Sequence, residues 1–147
     1  MRFIITAQTD TSAAEAEPGR DGDPGLDQAT LVAYMKFNED MHQAGVLVAS
    51  EGLNPAAPGA RIVAHKGKRR VVDGPFAESK ELVGGFYVID VKSLDEAIDW
   101  ALRCPVGMSS ADVLEVRQLT GASDLPPEIM AIISAAAPNW SAAMLAN

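Results

Sequence analysis

Three side chains of this 147-residue sequence could act as acid/base groups, namely Asp73, Glu51 and Tyr34. Asp73 ends a strand-like run and directly precedes Gly74 and Pro75, and a carboxylate that faces a cavity there could act as a general base. The same position also suits a structural role. Aspartate accepts hydrogen bonds from free backbone N–H groups, and proline favours the first position of a helix. The pattern favours capping for Asp73 and leaves the general-base hypothesis open.

A helix is predicted from Leu26 to Ala44, where apolar residues recur at steps of three and four and Gly45 supplies a stop. One stripe of this helix is apolar at its start and polar at its end, so we expect its second half to face a cavity or an interface. That stripe holds Leu31, Tyr34, Met35, Asn38 and His42.

The stretch "DGPFAESKELVGGFYVID" predicts a turn, a short helix over "FAESKELV" and a strand that begins near Gly85. The Gly84–Gly85 pair predicts a bulge or a close backbone approach. Successive strand residues face opposite sides, so Tyr87 and Ile89 should share one side of the sheet.

Lys80 is predicted to pair with Glu51 or with a substrate carboxylate, whereas Glu78 and Glu81 are more typical of a solvated surface than of a cation site. Phe76 should fill space at the core. The predicted ligand-binding residues are Asn38, His42, Phe76, Lys80 and Tyr87. A metal site needs several ligands, and the two histidines lie on separate elements, so no metal and no other cofactor is predicted.

The composition excludes several functional classes. A net charge of −8 argues against direct nucleic-acid binding, and the basic run from Lys66 to Arg70 is more typical of a solvated hairpin tip than of an anion site. One cysteine, Cys104, excludes an internal disulfide and fits a reducing compartment. No signal peptide or span of about 20 apolar residues is present, so we expect a cytoplasmic protein with no membrane partner.

The remaining elements follow from local patterns. Strands are predicted over "RFIITAQ", "VLVAS" and "DVLEVRQLT", and a hairpin over Ala60 to Gly74. Residues 10–25 are predicted to form a mobile loop, either disordered or a lid. Ser93 and Glu96 form a capping box before a helix that Pro105 ends. The apolar stripe predicted for that helix holds Leu94, Ala97, Ile98 and Ala101.

The order of these elements predicts an α+β fold, a ferredoxin-like sandwich with an antiparallel sheet, over residues 1–120. Residues 121–147 form an apolar helical tail, which should be buried on its own domain or on another subunit. The sheet face without helices also needs a cover, and we expect a twin chain to provide it as a homodimer.

The stretch "DGPFAESKELVGGFYVIDVKSLDEAIDWALRCP" resembles the signature of the YCII-related proteins of the DGPF type. "NEDMHQAGVLVASEGLNP" and "MRFIITAQ" also match that pattern, so the resemblance covers Met1 to Leu119 apart from Thr9 to Gly25. It implies a dimeric α+β barrel. It implies either a small-molecule-binding or regulatory module, with a possible sigma-factor pathway as partner, or an enzyme acting on a small organic compound.

This sequence departs from the family at one informative place. Better-studied relatives carry a His–Asp pair on and just after the first helix, and the matching positions here are Tyr34 and Gln43. A tyrosine of ordinary pKa near 10 and an uncharged amide cannot reproduce that pair near neutral pH. Any catalysis must therefore use other groups, which is why Asp73, Glu51 and Tyr34 are the predicted acid/base residues.

Overall fold

The structure is a computed structural model that describes residues 1–10, 28–54, 57, 59–73, 81–105 and 112–145, without the side chains of residues 9, 10, 73, 81, 82 and 112. In chain order the elements are β1 (Arg2–Asp10), α1 (Gln28–Gln43), β2 (Leu47–Gly52), β3 (Ala60–His65), β4 (Lys68–Asp73), β5 (Glu81–Asp90), α2 (Leu94–Leu102), β6 (Asp112–Gln118), a 3₁₀ turn (Ala122–Asp124), α3 (Pro127–Ala136) and α4 (Pro138–Leu145).

The main sheet has four strands in the order β2-β5-β1-β6, and every neighbouring pair is antiparallel. Helix α1 connects β1 to β2 with β5 lying between them, and α2 connects β5 to β6 with β1 lying between them. Two interleaved split β-α-β units of this kind define the ferredoxin-like arrangement. The predicted α+β fold with an antiparallel sheet is therefore confirmed.

The core lies between one face of the sheet and the two helices. Phe3 and Ile5 of β1 and Tyr87 and Ile89 of β5 are buried there, as strand alternation predicted for the β5 pair. The helices contribute a second layer of buried side chains, which are Phe37 and Met41 from α1 and Ala97, Trp100 and Ala101 from α2.

The predicted stripe of α1 is wrong by about a third of a turn. Leu31 and Met35 are exposed, whereas Tyr34 is half-buried and Phe37 and Met41 are buried. Residues 34, 37 and 41 also keep helical spacing, so the sequence offers two stripes. The sheet selects the one that carries the aromatic ring of Phe37.

The predicted stripe of α2 needs a similar correction. Ala97 and Ala101 are buried as expected, but Leu94 and Ile98 are exposed, and Trp100 takes their place in the core. The serine half of the predicted capping box forms, because the Glu96 backbone N–H donates to Ser93 Oγ at 3.2 Å. The Glu96 carboxylate accepts from the Lys92 backbone N–H at 2.9 Å rather than from that of Ser93.

Gly45 ends α1 as predicted. Its φ of 70° is the left-handed conformation that glycine adopts without steric cost. Its N–H donates to the His42 carbonyl at 2.9 Å, and the Val46 N–H reaches back to the Met41 carbonyl at 3.1 Å. This pair of bonds is a Schellman motif, and both Met41 and Val46 lie in the core.

Gly84 and Gly85 meet both expectations, a bulge and a close approach. The β1–β5 register passes from Ala7–Gly85 to Gln8–Val83, so Gly84 is the extra residue of a bulge. A Cβ atom on Gly85 would lie 2.8 Å from the Glu51 carbonyl oxygen of β2. The glycine therefore permits β2 and β5 to pair at this point.

Strands β3 and β4 form the predicted hairpin as a separate two-stranded sheet. Its turn residues Lys66 and Gly67 both have positive φ, which is typical of a type I′ turn. Every side chain from Ala60 to Val72 is exposed. The hairpin therefore does not pack into the core of its own chain.

Two further predictions need correction. Glu81 to Val83 belong to β5, so the helix predicted over "FAESKELV" does not extend through them, and its earlier residues lie outside the described residues. The apolar tail forms two helices, broken at Ala137 before Pro138. Ile129 and Ile132 of α3 are exposed in the single chain, and burial of the tail on its own domain or on another subunit stays a prediction.

Candidate functional site

A group of neutral polar side chains lies between α1 and the sheet, and we call it the α1 polar cluster. It is built from one helix, two neighbouring strands and the second residue after the end of α2. Its members are Tyr34, Asn38, Ser50, Tyr87 and Cys104.

Tyr87 is the centre of this cluster. Its ring is buried and packs edge-on against Phe37, with 5.5 Å between the ring centroids and an angle of 88° between the planes. Its hydroxyl forms a hydrogen bond with the buried Cys104 side chain. Burial raises the pKa of Tyr87 well above the ordinary value of 10.0, and the neighbouring Cys104 and Tyr34 groups raise it further. The phenol is therefore neutral throughout the physiological pH range.

Asn38 and Ser50 extend the cluster along α1. Ser50 Oγ donates to Asn38 Oδ1 at 3.4 Å, and Ser50 is the cross-strand partner of Tyr87. Tyr34 lies one turn before Asn38 and is half-buried next to Tyr87. The structure thus brings together three predicted site residues, Tyr34, Asn38 and Tyr87.

A cleft of about 290 Å³ opens at the N-terminal end of α1, beside the end of α2. Ala29, Thr30, Ala33 and Pro105 line it. Thr30 lies one helical turn before Tyr34, and Pro105 follows Cys104 in the chain. The cleft therefore adjoins the outer end of the α1 polar cluster.

Glu51 does not belong to this cluster. Ser50 points to α1, so the next residue of β2 points to the opposite face, which carries no helix among the described residues. On that open face Glu51 is opposite Phe86, and Gln8 donates to Glu115 at 3.1 Å and to Thr6 at 3.3 Å. Tyr34 and Glu51 thus lie on opposite sides of one sheet.

The other predicted site residues are dispersed or lie outside the described residues. His42 is exposed in the last turn of α1. Asp73 is the last residue of β4, but its side chain, like Phe76 and Lys80, lies outside what the structure describes. The catalytic role of Asp73 and the ligand-binding roles of His42, Phe76 and Lys80 stay predictions.

Two members of the cluster were not predicted as site residues. Ser50 was assigned only to a strand, and Cys104, which is buried, was considered only as the single cysteine of the chain. The alternation of "VLVAS" places Ser50 on the same side as Leu47 only when the bulge at Val48 is counted, and that bulge has no signal in the sequence.

A second cleft, of about 710 Å³, lies at one end of the sheet and contains none of the predicted site residues. Helix α4 contributes Met144 and Leu145, and the strands contribute Arg2, Asp90 and Gln118. The hairpin lines neither of these two clefts.

Metal binding has no support in the described residues, because they contain no group of three or more His, Cys, Asp or Glu side chains that could hold an ion. Within the same part of the chain, no helix is both long and apolar enough to cross a membrane.

Comparison with known proteins identifies one family match. The YCII-related domain matches residues 1–121. An uncharacterised protein from Rhizobium meliloti (strain 1021) is 43% identical over 77 residues, which are 52% of this chain and 62% of that protein. The alignment thus spans less than two thirds of the relative's length.

Among solved structures, 5-chloro-2-hydroxyhydroquinone dehydrochlorinase from Burkholderia phenoliruptrix AC1100, in complex with 2,5-dihydroxybenzoquinone, is similar over 86% of this chain and 100% of that chain. The TM-score is 0.39 and the sequence identity is 15%.

Proposed function

This chain belongs to the family of proteins with a YCII-related domain, and from that premise we propose that it is a cytoplasmic, homodimeric module that binds a small molecule. The observation that supports this proposal is the α1 polar cluster beside a cleft. Hydroxyl, amide and thiol groups from α1, from two strands of the sheet and from just beyond the end of α2 converge there.

The chemistry of the cluster indicates the class of ligand. A buried phenol that stays protonated can donate and accept hydrogen bonds but does not ionise at neutral pH. The adjoining cleft has about the smallest volume of known ligand pockets, and three of its four lining residues are Ala29, Ala33 and Pro105. We therefore propose a small, largely apolar and neutral ligand with one or two hydrogen-bonding groups.

The alternative is an acid/base enzyme that uses Asp73, Glu51 and Tyr34. Efficient general acid/base groups must lie within hydrogen-bond reach of the same substrate. Within one chain, Tyr34 and Glu51 are separated by the sheet, so they cannot act together on one small molecule. This separation favours binding over catalysis by that set.

The homodimer is part of the proposal because the open face of the sheet carries apolar side chains at its centre. Ile4 of β1 and Val88 of β5 are cross-strand partners there, and Phe86 lies beside them. Burial of such residues against a twin sheet would stabilise the pair. Light scattering should give twice the monomer mass of 15.5 kDa, and a monomer at all concentrations would contradict this part.

A regulatory role in a sigma-factor pathway is also proposed, and it rests on the family resemblance alone. Co-elution of the purified protein with an extracytoplasmic-function sigma factor from the same organism, in size-exclusion chromatography, would support the role. Separate elution, both with and without the bound ligand, would contradict it.

The binding proposal is tested by filling the cleft. A panel of small neutral phenols, alcohols and amides is first screened by the shift in melting temperature that each one produces. In Ala33→Trp, any ligand found in the screen should require at least a tenfold higher concentration to produce the same shift in melting temperature. The reason is that an indole ring fills much of a 290 Å³ cleft.

The matched control is Val32→Trp. Val32 is the preceding residue on α1, is exposed, and does not line the cleft, so this variant should keep the full shift. Tyr34→Phe provides a second test, because it removes one hydroxyl from the cluster and keeps the ring. If Ala33→Trp and Tyr34→Phe both show the same ligand-induced shift in melting temperature as the wild type, the ligand binds elsewhere and the proposal is overturned.

A further inference from the structure

We propose that the β3–β4 hairpin is an arm that docks onto a second copy of this chain through its Ile62–Val71 face. The inference deepens the proposed dimer, since it names the segment that reaches the partner. It rests on three features of the hairpin: its exposure, the division of its two faces, and its charge.

The exposure of the hairpin is unusual for its composition. Ile62 is 69% exposed and Val71 is 64% exposed, and these two residues are directly opposite each other in the ladder. A two-stranded hairpin without a covering layer has only marginal stability in water. A β-branched pair at the centre of a solvated ribbon therefore indicates a surface that another molecule covers.

The register divides the hairpin into an apolar face and a basic face. Cross-strand partners share a face, and faces alternate along each strand. One face holds Ala60, Ile62 and Ala64, with Val71 opposite Ile62 and Arg69 opposite Ala64. The other holds Arg61, Val63 and His65 with their partners Val72, Arg70 and Lys68.

The two valines of the basic face are less exposed than the apolar pair, at 41% for Val63 and 43% for Val72. Long basic side chains shield apolar neighbours with their methylene groups. The basic face can thus remain in water, and the Ile62–Val71 face is the one that needs a partner.

Charge identifies the partner. Residues 60–73 carry five Lys or Arg and one Asp, which is a formal charge of +4. Since the whole chain has a net charge of −8, the rest of the chain carries −12. A second copy therefore offers the hairpin a strongly acidic body, with Glu51 and Glu115 exposed on its open face. Opposite net charges favour this encounter and orient the arm.

The same charge arithmetic makes a nucleic-acid partner less favourable. A polyanion attracted to the hairpin would be repelled by the −12 of the remaining chain. In an assembly of two copies, the basic arm of each copy lies next to the acidic body of the other. Each copy supplies one arm and one acidic body, so the opposite charges are paired within the assembly.

The experiment compares two double variants that differ only in the face they change. Ile62→Asp with Val71→Asp places two carboxylates on the apolar face, and Val63→Asp with Val72→Asp places two on the basic face. Sedimentation velocity over a range of concentrations gives the dimer dissociation constant of each. The first variant should weaken the dimer at least tenfold, and the second less than about threefold, since only the first places charge against apolar surface.

A third protein carries a short Gly-Ser linker in place of residues 60–73. The hairpin does not pack into the core, so the melting temperature at low concentration should stay unchanged while dimerisation weakens as in the first variant. The dissociation constant of the wild type should also rise with salt, and this dependence should be smaller in the linker protein.

Other results would overturn the inference in distinguishable ways. A dimer that keeps its dissociation constant in the linker protein, or equal effects of the two double variants, removes the arm but leaves the proposed dimer intact. A wild-type monomer at every concentration removes both proposals. Binding of fluorescent duplex DNA by the wild type, lost in the first double variant, would assign the arm to nucleic acid instead.

Discussion

Among single residues, Tyr87 combines a polar hydroxyl with burial in the core. A phenol gains little from this position when ionised, because the surrounding protein solvates a charge poorly. Its pKa is accordingly raised in the folded chain, while in the unfolded chain it returns to the ordinary value of 10.0. The difference between the two states makes stability depend on pH.

The direction of that dependence follows from proton binding. Above pH 10 the unfolded state loses the Tyr87 proton and the folded state keeps it, so the free energy of unfolding should fall by up to about 1.4 kcal/mol per pH unit. Below pH 10 this contribution is fully present. The free energy of unfolding of Tyr87→Phe, measured with urea at a series of pH values, should therefore decrease less above pH 10 than that of the wild type.

The chain has only two tyrosines, which provides a direct control. In Tyr34→Phe the phenol of Tyr87 is the sole remaining one, and near-ultraviolet absorbance follows its ionisation. The folded variant should show no ionisation around pH 10, and addition of urea should restore it. Ionisation of the Tyr87 phenol near pH 10 in the folded variant would contradict the prediction, because it would show that the hydroxyl is accessible to water.

Sequence patterns predicted part of this residue-scale picture. Alternation alone placed Tyr87 and Ile89 on one face, because a strand has a fixed period of two. The stripe of α1 was less determined. Leu31, Met35, Asn38 and His42 keep helical spacing as well as Tyr34, Phe37 and Met41 do, and only packing against the sheet chooses between them. Asn38 borders both stripes and is half-buried.

At the scale of elements, the pairing of β2 with β5 depends on a glycine. A Cβ atom at position 85 would lie 2.8 Å from the Glu51 carbonyl oxygen of β2. This oxygen belongs to the backbone, so it cannot rotate away as a side chain can. Accommodating a methyl group there requires the two strands to separate locally. This pairing positions Ser50 beside Tyr87, so the α1 polar cluster depends on it.

Gly85→Ala should therefore lower the free energy of unfolding by about 1–3 kcal/mol, as is usual for overpacking against a rigid neighbour. Gly84→Ala is the matched control. Its nearest neighbour would be the Ala7 carbonyl oxygen at 3.9 Å, an ordinary contact, so its effect should stay within about 0.5 kcal/mol. Chemical denaturation measures both, and equal effects would mean that the close approach does not limit the sheet.

The elements themselves were largely predictable. The hairpin follows from two β-branched runs around Lys-Gly-Lys, and α2 follows from Ser93, Glu96 and Pro105. The predicted helix over "FAESKELV" fails from Glu81 onwards because β5 extends back to pair with Asp10 of β1. Such long-range pairing has no local signal, and it overrides the helix propensity of Glu and Leu.

At the scale of the whole molecule, the described residues leave three apolar surfaces uncovered in the single chain. They are the centre of the open sheet face, the Ile62–Val71 face of the hairpin, and the tail helices α3 and α4. The acidic net charge keeps such a chain soluble but does not remove the free-energy gain from covering these surfaces. Composition could predict that apolar surface would remain exposed, but the position of each surface required the fold.

Of these three surfaces, the tail occupies the longest stretch of the sequence. Ile129 and Ile132 of α3 and Trp140 of α4 are exposed, while Ser141 is buried and donates to the Pro138 carbonyl at 3.0 Å. Met144 and Leu145 line the cleft at the end of the sheet. One side of the tail thus contacts its own domain, and the other presents apolar side chains outward.

Deletion of the residues after Thr120 should accordingly cause aggregation or dissociation of the dimer. It uncovers the strand ends beside Arg2 and Gln118 and also removes the outward apolar side that we expect a second subunit to cover. Sedimentation velocity and turbidity on heating measure the two outcomes. A shorter deletion after Ala137, which keeps α3, shows which helix is responsible. A soluble dimer unchanged by the longer deletion would show that the tail contributes to neither surface.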